Sequence, residues 1–270
     1  MLFSDLSLAR RLENTDALAA VEYARAWANA HRHPGPFSLA VAGGHAGFAG
    51  VGSPLTQAFG LGLNGPVTDD DLRRLEEFFL SQGASVNIET CPLADPSLFA
   101  LLNQRGYQPI EFSNVLVREL SVEDTRVPDP ADTEVRVRIP EPAEGDAVTL
   151  TVTRAFFEGG EVTPEILDAF TGLFNAVGTA CFVAEVGQAM AGGAMVGIFE
   201  GVATLGGAGT LPEFRKRGVQ RALIDARLAF AVENGCNLAM VATQPGSGSQ
   251  RNVERQGFRV AYTRTKFLKQ

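Results

Sequence analysis

Residues 203–223 read ATLGGAGTLPEFRKRGVQRAL. Small residues up to Thr210 form a strand, and Pro212 ends it. The basic loop Glu213-Phe214-Arg215-Lys216-Arg217-Gly218 follows, and a helix begins after the glycine. Val219, Ala222, Leu223, Ala226, Ala229 and Phe230 recur at helical spacing and make one apolar face. Gln220, Arg221, Asp225, Arg227 and Glu233 fall mostly on the other side. Asn234-Gly235 supplies a left-handed cap that stops the helix.

A loop between a strand and a helix N-terminus binds anions. The first helical turn has unpaired amide N–H groups and a partial positive charge, and a glycine lets a ligand approach the backbone. Each charge-assisted hydrogen bond to a phosphate contributes roughly 1.5–3 kcal/mol. Arg215, Lys216 and Arg217 add full charges beside those amides, so a diphosphate suits the combination best. The competing reading is a solvated basic turn.

The motif Arg215-x-x-Gly218-x-Gln220, after a strand and a Pro-Glu-aromatic triplet, resembles the acyl-CoA pyrophosphate loop of the GNAT family (Gcn5-related N-acetyltransferases). The family pattern ends in Gly or Ala where this chain has Gln220, whose side chain either crowds the pyrophosphate or lends it an amide donor. The TLPEFR lead-in, the helix and a later Gln256-Gly257-Phe258 before a final strand follow the family's order over roughly residues 134–270. The resemblance implies a mixed α/β sheet flanked by helices and acetyl-CoA as cosubstrate. It places cofactor contacts at Gly209, Thr210, Leu211, Arg215, Lys216, Arg217, Gly218, Val219, Gln220 and Arg221. The thioester carbonyl would be polarised by a backbone N–H near Gly209 to Leu211. Gly206-Gly207-Ala208-Gly209 leaves room for a pantetheine arm, or equally allows close packing of a helix on the strand.

Composition limits the alternatives. At 270 residues the chain is long enough for two modest domains. A formal charge of −8 argues against nucleic acid as partner, because binding a polyanion needs a positive field. Cys91, Cys181 and Cys236 are scattered, without metal-ligand spacing, and read as buried small hydrophobes in a reducing compartment. His31 and His33 are too close together on a helix end to share a metal and read as solvated; no metal is expected. The N-terminus has no basic segment leading into an apolar run, and the uncharged stretch 37–55 holds five glycines and a proline. A cytoplasmic protein without a membrane segment is expected, as a monomer or homodimer.

Read in order, residues 8–30 form an alanine-rich helix with Trp27 on its buried side. Residues 37–42 and 46–51 form a hairpin turning at Gly43-Gly44-His45, and 57–63 a third strand. Thr68 caps a helix whose core face is Leu72, Leu75 and Phe79. Residues 85–89 and 112–120 are strands around a helix at 96–104. Residues 121–133 are acidic and proline-containing, a linker between domains at 1–120 and 134–270. Beyond it come a strand at 134–139, helices at 143–158 and 164–176, a hairpin at 180–199, the 203–223 unit, a strand at 238–242, a helix at 250–256 and a strand at 259–268.

The two parts repeat each other. Helix, glycine, strand, proline, short helix, Gly-aromatic and long strand occur at 69–120 and again at 218–268. Gly83 to Gly106 spans 23 positions and Gly235 to Gly257 spans 22. A tandem GNAT-like fold is the expectation, against convergence of two ordinary α/β units. The first half places Thr68-Asp69-Asp70-Asp71 where the second has its basic loop. Those carboxylates stabilise their own helix and repel a pyrophosphate, so the first half reads as a degenerate copy.

The implied reaction is attack of an amine, from a small molecule or a peptide, on acetyl-CoA. Where the family usually carries a tyrosine acid, four positions before the Gly-Phe pair, this chain has Val253, and Gly246 stands where an asparagine is frequent. Ser249, Asn252 or a water is left as proton donor, unless the thiolate leaves unassisted. Glu185 is a candidate base, or a plain strand carboxylate. Glu158 and Glu161 hint at a cationic acceptor. A non-catalytic acyl-CoA-binding protein is the second reading.

Overall fold

The small-residue strand that precedes the basic loop, Val202–Thr210, lies among the described residues within one 11-stranded sheet to which both halves contribute. This computed structural model describes residues 2–126, 133–157 and 162–269, excluding the side chains of 165, 169 and 172. The first half comprises α1 (Leu6–His31), β1 (Ser38–Val41), β2 (Gly44–Gly47), β3 (Gln57–Phe59), α2 (Asp69–Leu80), β4 (Val86–Thr90), α3 (Pro96–Gln104) and β5 (Gln108–Glu119). The second comprises β6 (Val135–Arg138), α4 (Gly145–Phe156), α5 (Pro164–Phe174), β7 (Thr179–Val186), β8 (Ala189–Phe199), β9 (Val202–Thr210), α6 (Val219–Glu233), β10 (Leu238–Thr243), α7 (Gly248–Arg255) and β11 (Arg259–Lys269).

The strand order is β1-β2-β3-β4-β11-β5-β10-β9-β8-β7-β6. It reads as two similar series meeting at the β11–β5 pair, with the last strand of each half moved across to the other. β5 of the first half pairs with β10, and β11 of the second pairs with β4. The two halves expected at 1–120 and 134–270 therefore share one continuous sheet. Both exchanged strands are long, and each follows a Gly-aromatic turn, so the same backbone ladder forms on either side. Exchange buries Val115, Leu116 and Val117 of β5 at 0–4% exposure, and full burial of such side chains stabilises by about 1.5–3 kcal/mol each.

Local corrections follow from turn chemistry. The first hairpin turns at Ala42-Gly43, both left-handed at φ 50 and 78, which suits a tight two-residue turn. Gly44 then belongs to β2, where a Cβ would sit 2.1 Å from the Phe59 carbonyl oxygen. β3 is only three residues long, because the chain after Phe59 turns through left-handed Gly60 and Gly62. β5 begins four residues before the expected Phe112. Trp27 is partly exposed: it stacks on His31 and donates to Asp168 at 3.0 Å. His31 and His33 are held rather than simply solvated, His31 by Trp27 and Asp168 and His33 by Gln82. Of the expected linker, Val122–Thr125 is a short helical turn lying on α6, and residues 127–132 fall outside the described residues.

Helices cover both faces. α4 and α5 pack with Val183 and Met195 on one face, and α1 contacts α5 on that same side. α6 and Val253 of α7 pack against Leu116, Ala203, Leu205 and Val241 on the opposite face.

Candidate active site

β9 and β10 run parallel and then part. They pair at Val202↔Leu238, Ala203↔Ala239 and Thr204↔Met240 and no further. β9 stays with β8 as far as Gly192↔Thr210, while β10 stays with β5 as far as Thr243↔Asn114. A bulge opposite Gly193 to Met195, with Gly207 at φ +49, bends β9 away, as bulges do when they interrupt pairing. The gap is the floor of a cleft of about 1410 Å³.

The basic loop stands at one end of this cleft. Within three residues it contains two left-handed positions, Lys216 at φ 63 and Gly218 at φ 82. Lysine in that conformation costs about 1–2 kcal/mol, a strain of the kind stored at binding sites. Gly218 is the N-cap of α6 and provides no side chain to close the helix end. By contrast, Asp5, Thr68, Asp95 and Ser247 each accept a backbone N–H at the start of α1, α2, α3 and α7. The first amides of α6 are thus open to a ligand, and the helix dipole reinforces an anion there.

The corresponding end of α2 is closed from within. The Asp71 N–H donates to Thr68 Oγ1 at 3.2 Å, while the Thr68 N–H donates to Asp71 at 2.9 Å. The Thr68 hydroxyl and amide together hold the Asp71 carboxyl below its ordinary range. Asp69 is paired with Arg105 at 2.6 Å. This end carries its own cap and three carboxylates, which repel a phosphate.

Gly209, Thr210, Arg215, Lys216, Gly218, Val219, Gln220 and Arg221 all line the cleft. Two other expected contacts do not. Arg217 turns away to Glu134 at 2.8 Å, and the Leu211 N–H is already given to the Ala191 carbonyl at 2.9 Å. Gly209 serves packing: a Cβ there would come within 2.6 Å of Ala155 Cβ and 2.9 Å of the Phe156 nitrogen. Its absence lets α4 lie against β9 and brings Ala155 and Phe156 into the lining. Gln220 is fixed by the Asn252 side-chain amide, which ties α6 to α7.

Ser249, in the first turn of α7, is exposed and lines the cleft. Glu185 lies outside the lining, its carboxylate bound by Arg138 at 2.6 Å, and Glu144 occupies the other side of that guanidinium. Val253 is 5% exposed and packs in the core with Leu223 and Phe258, so it presents nothing to a substrate. Glu158 and Glu161 are outside the described residues.

Several lining residues gave no sign in the sequence. Arg255 of α7 adds a cation to the loop end. Glu111 and Ser113 enter from β5 of the first half, through the strand exchange. The Glu111 carboxylate is 3.5 Å from Lys266, whose ammonium is nearer Glu89 at 3.2 Å. By strand register, Glu111 and Ser113 share a face with Lys266 and Arg264, whereas Thr243 shares the opposite face with Asn114. The cleft therefore passes through the sheet, from a cationic mouth beside α6 to a carboxylate on the α1 and α4 side. Among the described residues no group of three or more His, Cys, Asp or Glu is placed to hold a metal, and no helix is long and apolar enough to cross a membrane.

Residues 149–258 match the family model for the Acetyltransferase (GNAT) family. Among solved structures, a GCN5-related N-acetyltransferase from Kribbella flavida superposes with a TM-score of 0.64 at 17% identity, over 91% of this chain and 94% of that one. A tandem GNAT protein from the clavulanic acid biosynthesis pathway gives 0.58 at 14% identity, over 99% of this chain and 96% of its own. A functionally unknown conserved protein from Staphylococcus epidermidis gives 0.54 at 14% identity, over 79% and 84%. A search of curated proteins finds no significant match. Residues 149–258 thus match the model of the GNAT acetyltransferase family, and the chain as a whole has the tandem GNAT fold.

Proposed function

We propose that the chain is an acetyl-CoA-dependent N-acetyltransferase acting on an amine of a small molecule or peptide. The observation that carries this reading is the junction of the uncapped α6 N-terminus with the parted strands β9 and β10 in one cleft. The residues present fit acyl-CoA. Amides of Val219, Gln220 and Arg221, with the side chains of Arg215, Lys216, Arg221 and Arg255, would hold the pyrophosphate. The gap between Ala208 to Thr210 and Ala242 to Thr243 would take the pantetheine arm. Acetyl-CoA supplies the activated acyl group. The chain orients it, and the amine nitrogen attacks the thioester carbonyl; the C–S bond then breaks and the thiolate leaves with the electron pair. The proton lost by the amine passes to solvent or to a lining group.

In this reading residues 134–270 form the catalytic half. Residues 1–120 form a degenerate copy that has kept its core, closed its own helix terminus and lent β5 to the acceptor side. Glu111 offers a charge-assisted contact to a cationic acceptor. Glu111→Gln should raise the amine KM about two- to fivefold, the loss of one exposed ion pair, and leave the melting shift by acetyl-CoA unchanged. An unchanged KM removes Glu111 from the acceptor site.

The buried Val253 favours a second reading, an acyl-CoA-binding protein without turnover. Release of free CoA thiol from acetyl-CoA in the presence of a panel of amines decides between the two. Release above the amine-free blank establishes transfer; acetyl-CoA binding without release establishes the second reading. If transfer occurs, the rate should rise monotonically with pH as the amine loses its proton, with no alkaline limb from a tyrosine acid. Val253→Tyr should not accelerate it, and should cost about 1–3 kcal/mol of stability, because a phenol overfills that core. A gain in rate, or an alkaline limb that vanishes in Ser249→Ala, would assign the donor differently.

A further inference from the structure

Arg227 is a buried charge without a counter-ion. Helical spacing puts it on the polar side of α6, but in the fold it is 3% exposed. Its Nε donates to the Leu223 carbonyl at 2.9 Å and its Nη1 to the Met195 carbonyl at 3.1 Å. Among the described residues no carboxylate pairs with it, and burial alone acts on its charge, unfavourably. The charged groups on the elements around α6 are engaged with one another: Asp225 with Arg221, Asp124 with Arg118, and Glu185 of β7 with Arg138 of β6. Arginine keeps its proton even when buried, and a buried charge left unpaired is costly.

Its position relates it to the cleft. Leu223 and Ile224, one turn earlier on α6, line the cleft. Met195 lies on β8 at the bulge where β9 bends away from β10. The guanidinium therefore stands behind the opening between the strands. The packing of α6 on the sheet is otherwise apolar there, with Leu223, Ile224 and Leu228 in one core with Ala194, Val196 and Leu205. Such surroundings screen a charge weakly.

We propose that Arg227 is an electrostatic residue for the leaving group, its buried charge stabilising the CoA thiolate as the C–S bond of the acyl thioester breaks. The proposal rests on the acyl-CoA reading above and adds to it what replaces the acid that Val253 cannot be. The C–S electron pair stays on sulfur, the thiolate departs as an anion, and it takes a proton from solvent afterwards. The proton of the attacking amine leaves separately, as described above. Arg227 acts through its field, across Leu223 and Ile224, and touches no reacting atom.

The thiol of CoA bound to the full chain reports that field without any turnover. Its ionisation is read from thiolate ultraviolet absorbance between pH 7 and 10, with the acetyl-CoA complex, whose sulfur cannot ionise, as the blank. Bound CoA should ionise more readily than free CoA, and about tenfold more readily than in Arg227→Met, the size expected of one buried charge within about 10 Å. Arg227→Lys keeps the charge and should stay within about threefold of the unsubstituted chain. Arg227→Gln keeps a donor for the Met195 carbonyl without the charge, and should behave as Arg227→Met. The affinity for ADP, which carries a pyrophosphate but no thiol, should stay within about twofold in all three variants. Ionisation unchanged in Arg227→Met and Arg227→Gln overturns the assignment. Retention in Arg227→Gln with loss in Arg227→Lys also overturns it, and makes the residue a brace for the bulge. If the unsubstituted chain binds CoA but its thiol ionises no more readily than free CoA, the assignment falls alone. If the chain binds neither ADP nor CoA, the acyl-CoA reading falls and the assignment with it.

Discussion

Arg264→Met is expected to lower the unfolding free energy by about 3–5 kcal/mol, because it strips the counter-ion from two carboxylates that are largely or fully buried. Arg264 lies on β11 with its side chain 3% exposed. Its Nε donates to Glu13 at 2.7 Å and its Nη1 reaches Asp16 at 2.6 Å, both on α1. Tyr262 also donates to Glu13, at 2.7 Å, and Thr204 donates to Asp16 at 3.1 Å. Burial alone disfavours the guanidinium's charge, but Glu13 and Asp16 outweigh it and keep the group protonated. Burial likewise pushes the Glu13 carboxyl up, and Arg264 is the largest force holding it down. Without the arginine, the folded-state pKa of Glu13 rises further above its ordinary 4.5. A carboxyl raised on folding contributes stability at low pH and loses it as pH rises through the folded value. The deficit of Arg264→Met should therefore shrink on acidification and grow toward neutrality, as followed by urea unfolding across pH. β11 belongs to the second half and α1 to the first, so the variant should still unfold in one transition, at lower denaturant. Two separated transitions, or a loss below about 1 kcal/mol, would show that the exchanged strands do not couple the halves.

Gly218→Val should abolish the rise in melting temperature produced by acetyl-CoA while the unliganded chain still unfolds cooperatively. A ligand at a hundredfold excess over its Kd stabilises the native state by about 2.7 kcal/mol, and each kcal/mol moves the melting temperature of a chain this long by roughly 2–4 °C. The unsubstituted protein should therefore gain at least about 5 °C. Gly218 is at φ +82, and no atom lies within 4 Å of where a Cβ would stand. The new Cβ would meet no protein atom there. The valine would be strained by about 1–3 kcal/mol through its backbone, and it would stand beside the amides that a pyrophosphate needs. A retained shift in the variant, or none in the unsubstituted protein at millimolar acetyl-CoA, would remove the α6 terminus from the site.

Local chemistry made much of this protein legible in its sequence. The strand, basic loop and helix at 203–233 are written in small residues, Pro212, Gly218 and a 3.6-residue apolar period. Thr68 and three aspartates are enough to say that the first half's helix terminus is occupied by its own side chains. Val253 stands where the family resemblance leads one to expect a tyrosine. These features depend on residues within a few positions of one another. Which strand pairs with which depends on residues more than a hundred positions apart, and β5 and β11 carry the same kind of alternating pattern. The ladder they form is equally good within a half or across halves, so only the folded chain decides that they exchange. That exchange brings Glu111 and Ser113 into the cleft and places Arg264 against α1. The direction of a side chain is decided in the same way. Arg217 looks in sequence like its neighbours Arg215 and Lys216, but Glu134 draws it away from the cleft. Glu185 reads as a free carboxylate until Arg138 is found beside it. The sequence by itself determined the elements and the uncapped N-terminus of α6, because those are set by near neighbours. Tertiary structure alone decided what lines the cleft, because burial and pairing are properties of the assembled sheet.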